Sequence, residues 1–185
     1  MSRVSLTIAT AAQMRALGRS LATVLRAGDL VILSGGLGAG KTTLTKGIGD
    51  GLGARGPITS PTFVIARVHP PTEPVTSAGA LRPALVHADA YRLGSVLELD
   101  DLDLDTDIAA AVTVVEWGEG LAEGLAADRM EITITPDAAG DPAGNGNTGD
   151  PDDPTVDVPR MVRISTVGDR WQGIELPLAS LADRL

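Results

Sequence analysis

At 185 residues, with 43% hydrophobic and 21% charged residues, the chain has the size and composition of one soluble globular domain. Its formal charge of −9 argues against a broad phosphate-gripping surface, because sequence-independent nucleic-acid affinity comes mostly from Lys and Arg. The absence of cysteine removes disulfide frameworks, thiolate metal sites and cysteine nucleophiles, and suits a reducing cytosol. The opening "MSRVSLTIAT" lacks the apolar segment of a signal peptide. No run approaches the roughly 18 apolar residues of a membrane helix. The expectation is a cytoplasmic protein with no membrane attachment.

"VSLTI" (4–8) reads as a short opening strand. Thr10 then offers an N-cap, with Gln13 three residues on as in a capping box. Met14, Leu17, Leu21, Val24 and Leu25 follow at helical spacing, and Gly28 is expected to close that helix. "LVIL" (30–33) has the continuous apolar character of a strand buried on both faces of a parallel sheet. A glycine loop comes next, and a second helix is expected from Lys41 to about Leu52. "TFVIARV" (62–68), "ALVHADA" (84–90) and "AVTVVE" (111–116) read as further strands, and "MEITIT" and "MVRIST" alternate as half-buried strands do. The proline-rich stretch at about 70–83 reads as a flexible surface loop. Residues 136–159 hold six aspartates and no basic residue, too little apolar surface to offset the entropy of ordering, and read as a disordered hairpin insertion. "LASLADRL" suggests a short terminal helix. The whole, residues 1–185, is one α/β domain carrying two insertions.

Gly35-x-x-x-x-Gly40-Lys41-Thr42 is the phosphate-loop pattern, and it lies between an apolar strand and an expected helix, as that pattern requires. Such a loop turns successive N–H groups inward around phosphate oxygens, and the following helix adds its positive end. Lys41 and Lys46 are the chain's only lysines. A lysine at 41 supplies a flexible point charge for the β- and γ-phosphates, where an arginine fork fits poorly. The Thr42 hydroxyl suits Mg²⁺, which favours oxygen ligands.

"AVTVVEWG" has the form of an apolar strand ending in an acid, which places Glu116 at the sheet edge beside the phosphate loop as a Mg²⁺ or water ligand. In "HADAYR", His87, Asp89 and Tyr91 share one face of an extended segment and Arg92 takes the other. Asp89 either orients an attacking water or caps the strand end; the bland reading of His87 is a satisfied core histidine. "TSPTF" (59–63) is either a turn or a hydroxyl-bearing loop that senses the γ-phosphate. "ELDDLDLDTD" (98–107) fails the EF-hand pattern at its sixth and twelfth places from either Asp101 or Asp103, so it reads as a solvated acidic face able to meet a basic partner.

Taken in order, "GGLGAGKTTLTKG", "ITSPTF", "HADAYRL" followed by Glu98, and "VVEWG" resemble the TsaE family (also called YjeE), small ATPases needed for bacterial synthesis of threonylcarbamoyladenosine in tRNA. The resemblance runs from about Thr10 to Leu125. It implies a P-loop NTPase-like fold with a mixed, largely parallel central sheet flanked by helices. It implies ATP hydrolysis with Mg²⁺ held by Thr42 and Glu116, and Lys41, Asp89 and Glu116 as the catalytic set. Nucleotide contacts fall on Gly36, Leu37, Gly38, Ala39, Gly40, Lys41, Thr42 and Thr43, with Thr10 and Ala11 by the base and Arg160 near ATP. The implied partners are TsaD and TsaB, with tRNA reached only through that assembly. The sequence departs from the family pattern at Gly36, where an acid is usual, at Gly118, where proline is usual, and in two longer loops.

Two other functions share the loop. A small-molecule kinase usually carries a basic lid; here neither long loop has a lysine, and the longer has no arginine either. A non-hydrolysing nucleotide switch needs no acidic pair such as Asp89 and Glu116.

Overall fold

The apolar run at 30–33 lies at the centre of the molecule. In the computed structural model, which describes residues 3–61, 65–77, 79–92, 110–137 and 158–178, strand β2 (Leu30–Gly35) pairs in parallel with β5 (Ala111–Glu116) on one side and β6 (Arg129–Pro136) on the other. Leu30, Val31, Ile32 and Leu33 are all essentially solvent-free, so both faces are covered and no alternation can appear. Val31 and Leu33 pack into the larger core, beneath helices α1 (Ala11–Ala22) and α2 (Lys41–Leu52). Leu30 and Ile32 join a smaller core on the opposite face, with Val115, Ala122 and Leu125.

The remaining strands are β1 (Arg3–Ile8), β3 (Ala66–His69), β4 (Ala84–Asp89) and β7 (Arg160–Val167), giving one seven-stranded sheet in the order β1-β7-β6-β2-β5-β4-β3. The sheet is mixed, as the sequence implied. Its inner four strands, β6, β2, β5 and β4, run parallel, while β1–β7, β6–β7 and β3–β4 pair antiparallel. Met130, Ile132 and Ile134 of β6 and Val162 and Ile164 of β7 alternate inward, so the period of two read from those segments is one-sided burial.

Helix α1 begins as its sequence indicates. Thr10 Oγ1 accepts from Gln13 N at 3.1 Å and Gln13 Oε1 accepts from Thr10 N at 3.1 Å, a complete capping box. Its end falls at Ala22, not at Gly28. Thr23 Oγ1 donates to the Ser20 carbonyl at 2.7 Å, competing with helical continuation. Gly28 (φ 88°) instead turns the chain into β2, its N–H donating to Ala111 O. At the start of β2, Asp29 forms a buried ion pair with Arg170, whose Nη2 also donates to Val24 O at 2.7 Å. Helices α1 and α2 meet backbone to backbone: a Cβ on Gly47 would stand 2.2 Å from Arg15 O, so only glycine permits the approach. Arg15 and Asp50 clamp the rim of that contact at 2.6 and 2.9 Å.

Strand β3 is shifted relative to the expected 62–68, of which 62–64 lie outside the described residues. Ile65 adopts φ 67° and turns the chain, so pairing with β4 starts at Ala66. The proline-rich stretch after β3 is hydrogen-bonded to the end of α2 (Thr72 N to Gly53 O, 2.8 Å) and bridges Val75 to Leu81. Pro136 pairs with Arg160, so the acidic insertion joins two neighbouring antiparallel strands, as a hairpin does. Most of it (138–157) lies outside the described residues. So do the acidic 98–107 segment, Thr62 and Phe63, and nearly all of the expected terminal helix. Among the described residues no helix is long and apolar enough to cross a membrane.

Candidate phosphate-binding site

The parallel strands β2, β4 and β5 end at one edge, and Leu33, Asp89 and Glu116 come into register there. The glycine loop leaves β2 at this edge and enters α2 at Lys41. Unlike α1, α2 has no side-chain cap; its N-cap is Gly40, held at φ 103°, a left-handed conformation that glycine adopts at little cost. No acidic residue occupies the first turn either. A helix start with backbone donors and no side chain to satisfy them is suited to an anion. Leu37 projects from the loop, 80% exposed, while Ala39 tucks into the core; Gly36, Gly38, Thr42 and Thr43 complete the turn.

Lys41 does not extend into solvent. It is 5% exposed, and its Nζ donates to the carbonyls of Gly35 and Gly36, each at 2.9 Å. The ammonium also lies 3.7 Å from the centroid of the Trp117 ring, a cation–π contact. Burial lowers the Lys41 pKa below its ordinary value, while the charges of Glu116 and Asp89 pull it back up. Trp117 holds φ 60°, unusual for a bulky residue, and its N–H donates to Leu33 O at 2.9 Å. Tyr91 stacks at 5.2 Å on the same indole, and a cleft of about 280 Å³ opens beside it, lined by Ser34, Gly35, Trp117 and Glu119. The sequence reading assigned Trp117 no place in the site, because a tryptophan after a buried strand has no periodic signature of its own.

Glu116 is the meeting point. It is 3% exposed, and its carboxylate accepts from Thr42 Oγ1 at 2.9 and 3.1 Å and from His87 Nε2 at 2.8 Å. Thr42 and Glu116, expected together as metal ligands, are therefore in direct contact. Both offer oxygen donors, the type a hard cation prefers. Among the described residues no group of three or more His, Cys, Asp or Glu forms a closed metal cage. That suits Mg²⁺, which commonly takes one or two protein carboxylates and completes its shell with phosphates and water.

Asp89 is 3% exposed; its Oδ1 accepts from Tyr91 N and its Oδ2 from Ser60 Oγ, each at 3.0 Å. The carboxylate thus caps the turn Ala90–Arg92 that follows β4, and Ser60 of the "TSPTF" segment reaches it. It remains beside the phosphate loop, close enough for its charge to act on Lys41. Arg160 opens β7 opposite Ile8, which brings it to the end of β1 near Thr10 and Ala11. From there its Nη2 donates to Gly38 O at 3.2 Å. The sequence separation of 122 residues between those two groups is closed by the β1–β7 pairing. A side chain at Gly36 would meet nothing within 4 Å, so the loop has room for the family's acid. At Gly118 the space is filled: a Cβ would stand 2.9 Å from Val115 Cγ1 and 3.0 Å from the Ala122 Cβ.

A central parallel strand, a glycine loop, an uncapped helix start and an acid at the end of the adjacent strand define an α/β protein of the P-loop-like class. The family model for "threonylcarbamoyl adenosine biosynthesis protein TsaE" matches residues 8–141. A Streptomyces coelicolor protein described as tRNA threonylcarbamoyladenosine biosynthesis protein TsaE is 54% identical over 85% of this chain and 93% of its own. A Bacillus subtilis protein of the same description is 37% identical over 66% and 71%. The crystal structure of Bacillus subtilis YdiB superposes with a TM-score of 0.63 at 25% identity, covering 99% of this chain and 96% of that one. The chain belongs to the TsaE family.

Proposed function

We propose that this protein binds ATP with Mg²⁺ at the glycine loop and hydrolyses it to support threonylcarbamoyladenosine modification of tRNA, in an assembly with TsaD and TsaB. The observation that carries the reading is the contact of Thr42 with Glu116 at the N-terminal edge of an uncapped helix, with Lys41 beside them. Family membership supports the tRNA-modification role.

In this reading the loop amides and Lys41 bind the β- and γ-phosphates; Lys41 exchanges its two carbonyl partners for phosphate oxygens. Thr42 and Glu116 hold Mg²⁺, which supplies charge neutralisation on those phosphates. Asp89, already fixed by Ser60 and the Tyr91 amide, orients water toward the γ-phosphate. Arg160, Thr10 and Ala11 line the side toward the base. The net charge of −9 gives tRNA little to hold, so tRNA is reached through the partners.

The test is phosphate release by the purified chain alone and with the TsaD–TsaB pair, together with a pull-down in ATP. The expected result is weak basal hydrolysis that rises on adding the pair, and recovery of both partners. Equal turnover with and without them, or tight salt-resistant tRNA binding by this chain alone, refutes the reading.

A further inference from the structure

His87 was expected to be a satisfied core histidine; the structure makes it neither satisfied nor merely core. It is fully buried on β4, and its Nε2 lies 2.8 Å from Glu116 Oε1. An ionised carboxylate only accepts, so Nε2 carries the hydrogen. The other ring nitrogen, Nδ1, is buried without a hydrogen-bond partner. A histidine kept for packing alone gains nothing from that arrangement, since leaving a buried polar atom unpaired costs free energy. All of its polar interaction in this structure is spent on one oxygen of Glu116.

We infer that His87 is the positioning residue for Glu116: it pins Oε1, so that Oε2 and the Thr42 hydroxyl are presented together to a cation. The inference rests on the reading that Thr42 and Glu116 hold Mg²⁺ with the nucleotide. The mechanics follow from the contacts. Thr42 Oγ1 has a single hydrogen, and it lies 2.9 and 3.1 Å from the two carboxylate oxygens, so that donor alone leaves the carboxylate's orientation unfixed. His87 breaks the tie. It stands on an inner strand, paired to Val114 of β5 on one side and Arg67 of β3 on the other, so its ring cannot follow loop motion. Residue 87 and residue 89 share one face of β4. Thus the same strand fixes Glu116 through His87 and carries Asp89 two positions further on.

Two substitutions separate positioning from packing. His87→Leu keeps apolar volume but removes the donor. His87→Gln places an amide N–H near the position of Nε2 and keeps it. The readout is the ATP-induced melting shift titrated with Mg²⁺, and the same shift in EDTA, neither of which requires turnover. In His87→Leu the Mg²⁺ concentration for half-maximal shift should rise about 10- to 100-fold, the range found when an outer partner of a metal ligand is lost. The shift in EDTA should stay at the wild-type value, and His87→Gln should recover most of the Mg²⁺ response. If His87→Leu gives no cooperative melt, His87→Asn serves in its place, since its shorter amide cannot reach Glu116.

An unchanged Mg²⁺ midpoint in the donor-less variant overturns the inference and leaves the nucleotide site standing. Equal impairment of His87→Gln and His87→Leu also overturns it, in favour of packing. Absence of any Mg²⁺-dependent shift in the wild type overturns the nucleotide reading, and the inference with it.

Discussion

Replacing Lys41 with alanine isolates the one charge on which the phosphate site depends. In the free protein the change should cost little stability. It frees the Gly35 and Gly36 carbonyls, but it also removes a buried ammonium that is only 5% exposed. The effect should appear on adding ATP. At about 100 times its dissociation constant, ATP stabilises the wild type by about 2.7 kcal/mol, which is roughly 5–11 °C for a domain of this size. Charge-assisted contacts from Lys41 are worth about 3 kcal/mol, so their loss weakens binding roughly 150-fold. At the same ATP concentration the variant then gains only about 0.3 kcal/mol, or about 1 °C. Lys46 cannot substitute, lying more than a turn further along α2. Scanning calorimetry with and without ATP makes the measurement. Lys41→Met, which keeps the apolar stem under Trp117, controls for lost packing. A shift in either variant equal to that of the wild type refutes the assignment of the loop.

Glu116→Gln and Asp89→Asn should retain ATP binding within a few-fold while turnover in the assembled complex falls by about 100-fold or more, measured as kcat against Kd; wild-type turnover in both would remove them from the chemistry. Arg170→Ala should destabilise the fold by about 3–5 kcal/mol, because it strands the buried Asp29 carboxylate, and chemical denaturation should show it as a lowered midpoint. Asp50 has its pKa lowered first by the hydrogen bond from Arg15, so its contribution is present above the unfolded carboxylate value and is lost as pH falls through the folded one. The stability difference between wild type and Asp50→Asn should therefore stay flat, at no more than about 1 kcal/mol, above about pH 5 and vanish in acid. A difference that grows on acidification contradicts that sign.

The sequence by itself determined whatever depends on neighbours along the chain. The Thr10–Gln13 capping box, the fully apolar β2 and the glycine loop entering α2 at Lys41 are local devices, and each stands where its residues place it. Alternation in β6 and β7 was legible for the same reason: side-chain period is a property of the strand itself. The end of α1 was less legible, since Thr23 competing for the Ser20 carbonyl and Gly28 donating to Ala111 outweigh a helical spacing that continues through Leu25. What only the tertiary structure decided are the contacts made by strand order. The parallel register of β4 with β5 sets His87 against Glu116, 29 residues apart in the chain. The β1–β7 pairing carries Arg160 to the glycine loop. The turn after β5 lays Trp117 over Lys41. No local pattern encodes these meetings, because hydrogen-bonded register between distant strands depends on how all seven strands share one sheet.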